Sequence, residues 1–248
     1  ATAVMIQGEK AGQVALPVRQ RAASVLLSRP VLKQIGHSPP DDLKEWANTI
    51  TLGSRIVLQG RDFTGEGMTL VQIGKTRLTP QILGGGELSL NFAELPKAEQ
   101  NALRAGGQSI QVLRIKPFNE EVERDLAIES NLLPFVLCPR IMDQGGVTLA
   151  GVSTDSEDRY SGTVTVSLDI AVDVRQRVFL LLNGTSQNNP NTYIFRASRR
   201  RTLEHTMEFA IQDVMPGEYL VRVQVDGAES PLRVDERKQY IGPRLVIS

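Results

Sequence analysis

The sequence predicts an all-β protein, and three observations carry the prediction. Residues 219–225 alternate strictly: Tyr219, Val221, Val223 and Val225 interleave with Leu220, Arg222 and Gln224, the period of a strand with one face in a core. Turn signals bracket that run, Pro216-Gly217 before it and Asp226-Gly227 after it. The second is a hairpin signal, because glycine takes a positive φ at little cost. Short apolar runs also recur between turn residues at roughly 8–12-residue spacing, and no 3.6-period segment is long enough for a major helix. The fold class these imply is two tandem immunoglobulin-like β-sandwich domains preceded by an extended N-terminal segment. Such domains usually bind, space or decorate, and they rarely do chemistry.

Residues 1–48 read as an extended segment and linker. Val4-Met5-Ile6 has strand character, residues 14–18 a second short extended piece. Pro30 breaks any helix through Val25-Leu26-Leu27 and Val31-Leu32. His37-Ser38-Pro39-Pro40 forces an extended or turn conformation, and residues 41–46 are compatible with one helical turn. The chain begins without Met and already in strand character, so the expectation is a piece of a longer protein whose first strand belongs to an upstream domain.

Residues 49–139 read as the first sandwich. Strands are expected at 56–60, 69–73, 76–83 (interrupted by Pro80), 88–92, 110–115 and 132–137. Gly84-Gly85-Gly86 is a flexible turn. Residues 98–103 form one possible helical turn, ended by Gly106-Gly107. Residues 140–248 read as the second sandwich, with strands near 147–152, 163–170, 177–182, 192–197, 206–211, 219–225, 231–234 and 244–247. The halves share a plan of about seven or eight strands but no repeat at the residue level.

Composition excludes several classes. The 248 residues carry 28 basic and 28 acidic side chains and no net charge, so nothing points to a general affinity for nucleic acid or anionic lipid. No run of about 18 apolar residues offers a transmembrane helix, and no signal peptide is visible. The one cysteine, Cys138, allows no intrachain disulfide, which fits a reducing compartment or a bacterial origin. It sits in an apolar run and reads as a plain buried thiol.

Each polar constellation has a plainer account than chemistry. Gly74-Lys75-Thr76 resembles the end of a phosphate-binding loop, but Thr69 stands where the first glycine is required and no helix follows. A turn lysine is preferred. Asp155, Glu157 and Asp158 form an acidic loop without EF-hand spacing, so a solvated loop is favoured over a Ca²⁺ site. Arg199-Arg200-Arg201, with Arg196, reads as a basic hairpin loop, solvated or in contact with a protein. His37 and His205, the two histidines, have no neighbours at metal or triad spacing and read as surface or turn residues. Asn183-Gly184-Thr185 fits a glycosylation pattern and also a hairpin turn, the preferred reading. No catalytic, cofactor-binding or metal-binding residue is assigned, and no cofactor is expected.

A family resemblance adds what spacing cannot. It rests on Glu129-Ser130-Asn131-Leu132-Leu133-Pro134-Phe135-Val136-Leu137-Cys138-Pro139-Arg140-Ile141, Gln176-Arg177-Val178-Phe179-Leu180-Leu181-Leu182-Asn183, Gly217-Glu218-Tyr219-Leu220-Val221-Arg222-Val223-Gln224-Val225-Asp226-Gly227-Ala228-Glu229-Ser230-Pro231-Leu232 and Tyr240-Ile241-Gly242-Pro243. These pieces resemble the C-terminal half of the cap, or tail-terminator, family of phage-tail-like contractile injection systems. Val4-Met5-Ile6-Gln7-Gly8-Glu9, leading to Ala15-Leu16-Pro17-Val18, is similar to the exit of that family's N-terminal domain. Residues 53–63 resemble an IPT/TIG-type immunoglobulin fold.

The resemblance implies a non-enzymatic structural protein. It implies a hexameric cap, assembled through an upstream terminator domain, at the distal end of tube and sheath. Its partners would be the tube and sheath proteins, without nucleic acid or a transmembrane segment. Its place would be the bacterial cytoplasm during assembly and then the assembled particle. The alternatives are an adhesin-like or glycan-binding tandem module, and accessory domains of an enzyme whose catalytic part lies upstream. Low aromatic content, 5% with Trp46 the one tryptophan, counts mildly against glycan binding.

Overall fold

The computed structural model describes residues 28–38, 49–116, 126–186 and 190–248. The pieces expected at 4–6, 14–18 and 41–46 lie outside the described residues. Elsewhere the chain is all-β, with antiparallel sheets stacked as two immunoglobulin-like sandwiches.

The first sandwich pairs two sheets. One has the order β1 (Val31–Ser38), β2 (Arg55–Arg61), β6 (Glu87–Asn91), β5 (Gln81–Gly84). The other has the order β4 (Thr76–Leu78), β3 (Met68–Ile73), β7 (Gly106–Lys116), β8 (Leu126–Glu129), with β9 (Leu133–Leu137) also on β7. Ile56, Leu58, Phe63, Val71, Leu88, Phe92, Ile110 and Val112 fill the space between them.

Several expectations change here. The run 76–83 is two strands, and buried Pro80 lies where the chain leaves β4 for β5 in the opposite sheet. Proline has no N–H to continue a ladder, so the crossing falls there. Residues 31–38, read as linker, are the edge strand of the first sandwich. They pair with β2 through a bulge between Leu32 and Gln34. Asn131 holds them from the opposite sheet, its Oδ1 accepting from Leu32 N–H (2.9 Å) and its Nδ2 donating to Leu32 O (2.8 Å). A four-residue helix α1 (Lys97–Gln100) forms as expected, but Gly106 and Gly107 open β7 rather than ending it.

The second sandwich stacks β10 (Val147–Thr154), β11 (Tyr160–Val172), β14 (Glu204–Val214) on a sheet ordered β13 (Thr192–Arg196), β12 (Val178–Gly184), β15 (Gly217–Val225), β16 (Ala228–Glu229), with β19 (Arg244–Ile247) also on β15. The alternation in β15 is realised: Tyr219, Val221, Val223 and Val225 are buried and the residues between them are not. Asp226 (φ 46°) and Gly227 (φ 90°) make the two-residue turn into β16. At the opposite end of β15, Tyr219 Oη donates to Met215 O (2.7 Å), a tyrosine corner. Tyr193 Oη accepts from Met215 N–H (3.2 Å), and the two rings meet edge to face. Two hydroxyls thus fix both backbone polar groups of Met215.

The structure also reveals a repeat that periodicity did not. Glu129-Ser130 and Glu229-Ser230 occupy the same place in each sandwich, just after a short strand leaves the partner strand. Ser130 N–H donates to Val112 O (2.9 Å) while its Oγ accepts from Val112 N–H (2.9 Å). Ser230 does the same to Val223, at 2.8 and 2.9 Å. In the first sandwich only Asn131 and Leu132 then precede β9. In the second, a ribbon of β17 (Arg233–Val234) and β18 (Tyr240–Gly242) intervenes before Pro243 O rejoins Val221 N–H. The strand expected at 231–234 is this ribbon's short first arm.

Candidate functional site

The polar clusters singled out in the sequence are mostly consumed by the fold. Gly74 (φ 57°) and Lys75 make the tight turn between β3 and β4, where Ile73 faces Thr76. Lys75 is an exposed turn residue in a hairpin. Asp155 closes the turn from β10 to β11. Its Oδ1 accepts from the N–H groups of Glu157 (2.8 Å) and Arg159 (2.9 Å), and those bonds hold its carboxyl below the usual range. Asp158 takes the left-handed conformation there (φ 56°). The ribbon tip repeats the device: Asp235 Oδ1 accepts from Arg237 and Gln239 N–H (2.8 Å each), with Lys238 at φ 61°. Among the described residues, no group of three or more His, Cys, Asp or Glu is arranged to hold a metal ion.

The arginine cluster is not in a hairpin. It lies on the crossing from β13 to β14, which belong to different sheets. Arg199 and Arg201 are exposed, but Arg200 turns inward and donates to the carbonyls of Asp173 (3.2 Å) and Gln176 (2.8 Å). Partial burial draws its guanidinium below its usual pKa.

The histidines are in strands rather than turns. His37, in β1, has a buried Nε2 with no hydrogen-bond partner among the described residues. His205, in β14, has Nδ1 3.2 Å from Leu168 O. Asn183 is likewise in strand β12 rather than a turn, its Oδ1 accepting from Arg222 (3.1 Å) and its Nδ2 reaching Thr192 Oγ1 (3.4 Å).

Of the residues singled out in the sequence, Cys138 and Arg200 lie at the joint between the sandwiches. Leu137 bridges to Ile50, and Cys138 N–H donates to Ile50 O (2.8 Å). Two residues later the chain is already bound to β11. Arg140 N–H donates to Asp169 Oδ1 (2.7 Å), Asp169 N–H to Arg140 O (2.9 Å), and Ile141 bridges to Leu168. Burial pushes the Asp169 carboxyl up to about 6, against the opposing pull of Arg140, whose Nε lies 3.8 Å away. Cys138 is half-buried, and burial together with Glu229 and Asp169 pushes its thiol up to about 11. Such a thiol is a poor nucleophile.

Beside this backbone tie, Gln176 Nε2 donates to Ala105 O (2.8 Å) in the first sandwich and to Asp226 Oδ2 (3.1 Å) in the second. Its Oε1 accepts from Asp173 N–H (3.1 Å). Asp226 Oδ1 accepts from Arg177 N–H (2.9 Å). An open groove of about 300 Å³ runs along this junction, lined by Arg104, Gly106, Gln108, Asp173, Gln176 and Asp226. Gln108 Nε2 there donates to Arg104 O (3.0 Å), so hydrogen bonds within and across the two sandwiches engage the polar lining. No sequence signal pointed to Gln176, because its partners lie far along the chain.

Apolar side chains are exposed on one face of the second sandwich. Ile194 on β13 (63% exposed) and Val246 on β19 (61%) flank the half-buried Leu181 and Leu220, and Tyr240 on the ribbon is 60% exposed. Arg233 ties the ribbon to Asp143 (3.5 Å), just after the joint. No helix among the described residues is long and apolar enough to cross a membrane.

Comparison with known proteins places one domain. Residues 139–246 match a domain of unknown function, DUF8756, and the match spans the strands of the second sandwich. No curated protein matches the chain.

Proposed function

We propose that this chain is a structural component of a contractile injection system, the Ig-like region of the cap that terminates tube and sheath. In this reading the tube and sheath proteins are its partners. Sixfold assembly runs through an upstream terminator domain, and the protein is built in the bacterial cytoplasm before it forms part of the particle. Sixfold repetition would multiply weak contacts made by sheet faces and edges.

One observation carries the proposal. The segments that resemble the cap family, 129–141, 176–183, 217–232 and 240–243, are scattered in sequence but fall largely on sheet strands and on the joint. They supply β9, the joint, the paired strands β12 and β15, and the ribbon that emerges beside them. A resemblance that falls on framework strands and the joint is what a shared architecture would produce. The consumption of the polar clusters in turns and in the joint is in keeping with a structural role.

The test is a native pull-down of the full-length protein from its own cells, read by mass spectrometry. Co-purification of tube and sheath proteins is the expected result. Recovery without any of them would overturn the reading and direct attention to the adhesin alternative, for which exposed Tyr240 would be the first residue to examine.

A further inference from the structure

We infer that the two sandwiches move as one rigid body, latched by Gln176 and Asp226 closing on Ala105 and Gly106. Tandem sandwiches joined by a free linker reorient by default, because inter-domain linkers are flexible and polar. Here there is no such linker. Cys138 is the last residue bonded to the first sandwich and Arg140 the first bonded to the second. Only Pro139 lies between them, and its ring fixes φ. The remaining freedom is rotation about that short neck.

The latch opposes this rotation. Gln176 spans both bodies through one amide, giving protons to Ala105 O and to Asp226 while its carbonyl is held by Asp173 N–H. Gly106 supplies the fit. It sits at φ +113°, and a Cβ built there would stand 3.3 Å from Asp226 Cβ. The hairpin tip of the second sandwich therefore seats directly against the first strand residue of β7. Arg200 braces the same loop from the other side through the carbonyls of Asp173 and Gln176. Ile141, almost fully buried just past the neck, belongs to a hydrophobic cluster that includes residues of both sandwiches. The tandem is thus a strut of fixed shape, able to hold the face bearing Ile194 and Val246 at a set angle to the first sandwich. The latch is independent of the cap reading.

Residual dipolar couplings of the full 248-residue chain test the inference. One alignment tensor of equal magnitude should fit both sandwiches. A magnitude in one that falls to about half of the other would show independent motion and overturn it. Gln176→Ala should split the tensors while amide shifts away from the joint stay in place. Asp226→Asn keeps an acceptor for Arg177 N–H but sets an NH₂ group against Gln176, so it should split them too. A single tensor retained in both variants would overturn the latch.

Discussion

Gly106 and Asp226 are 120 residues apart in sequence and face each other across the joint. The missing side chain of Gly106 leaves room for Asp226, whose Cβ would lie 3.3 Å from a Cβ added there, and its φ of +113° is one that a side chain disfavours. Gly106→Ala therefore carries both backbone strain and crowding, and should destabilise the protein by about 1–3 kcal/mol. Gly107→Ala, with open space around the added carbon, should stay within about 0.5 kcal/mol of the parent. Denaturant unfolding of the pair separates the effect of the contact from a general intolerance of alanine.

Ser130 and Ser230 predict matched losses in different domains. Each buried hydroxyl is the acceptor for one β-strand N–H. Replacement by alanine leaves that donor unpaired at a cost of about 1–3 kcal/mol. Hydrogen exchange should show faster opening at Val112 in Ser130→Ala and at Val223 in Ser230→Ala. Unchanged protection at either amide would contradict the equivalence.

Tyr219→Phe should cost about 1 kcal/mol by leaving Met215 O without its donor. In the parent, one phenol should ionise late, because burial and then Tyr193 push Tyr219 up to about 12. Ultraviolet titration reads this directly, and the late step should vanish in the variant.

Asp169 sets a pH dependence of definite sign. Its carboxyl is raised in the folded state, to about 6, so folding favours the protonated form. The stability it contributes is complete below the unfolded value near 4 and is lost as pH rises through about 6, a change of about 3 kcal/mol. Asp169→Asn keeps an acceptor for Arg140 N–H and removes the titration. Relative to that variant, the parent should lose Tm between pH 4 and pH 6.5; parallel curves would contradict the assignment.

How much of this was legible depends on whether the determinant is local. Strand β15 and the Asp226-Gly227 turn were, because alternation and a positive-φ glycine are both written in consecutive residues. Strand β1 was not. Its bulge between Leu32 and Gln34 shifts the register, so the apolar residues lose strict alternation and the segment reads as linker. Gly106-Gly107 was ambiguous in kind: glycines that can stop a helix here start a strand, Gly106 at positive φ. Pro80 was seen as an interruption, but the change of sheet it marks depends on the distant strands its two hairpins join, β7 for β3–β4 and β2 for β5–β6. The joint was the least legible feature, because Gln176, Arg200 and Asp169 act on carbonyls and amides tens of residues away.

The proposed place of these sandwiches in the cap of an injection particle can be seen by locating them on it. A gold label on the C-terminus of the full-length protein, viewed by negative-stain microscopy of particles from its own cells, should mark one end of each rod. Label spread along the sheath, or absent from rods altogether, would contradict the account.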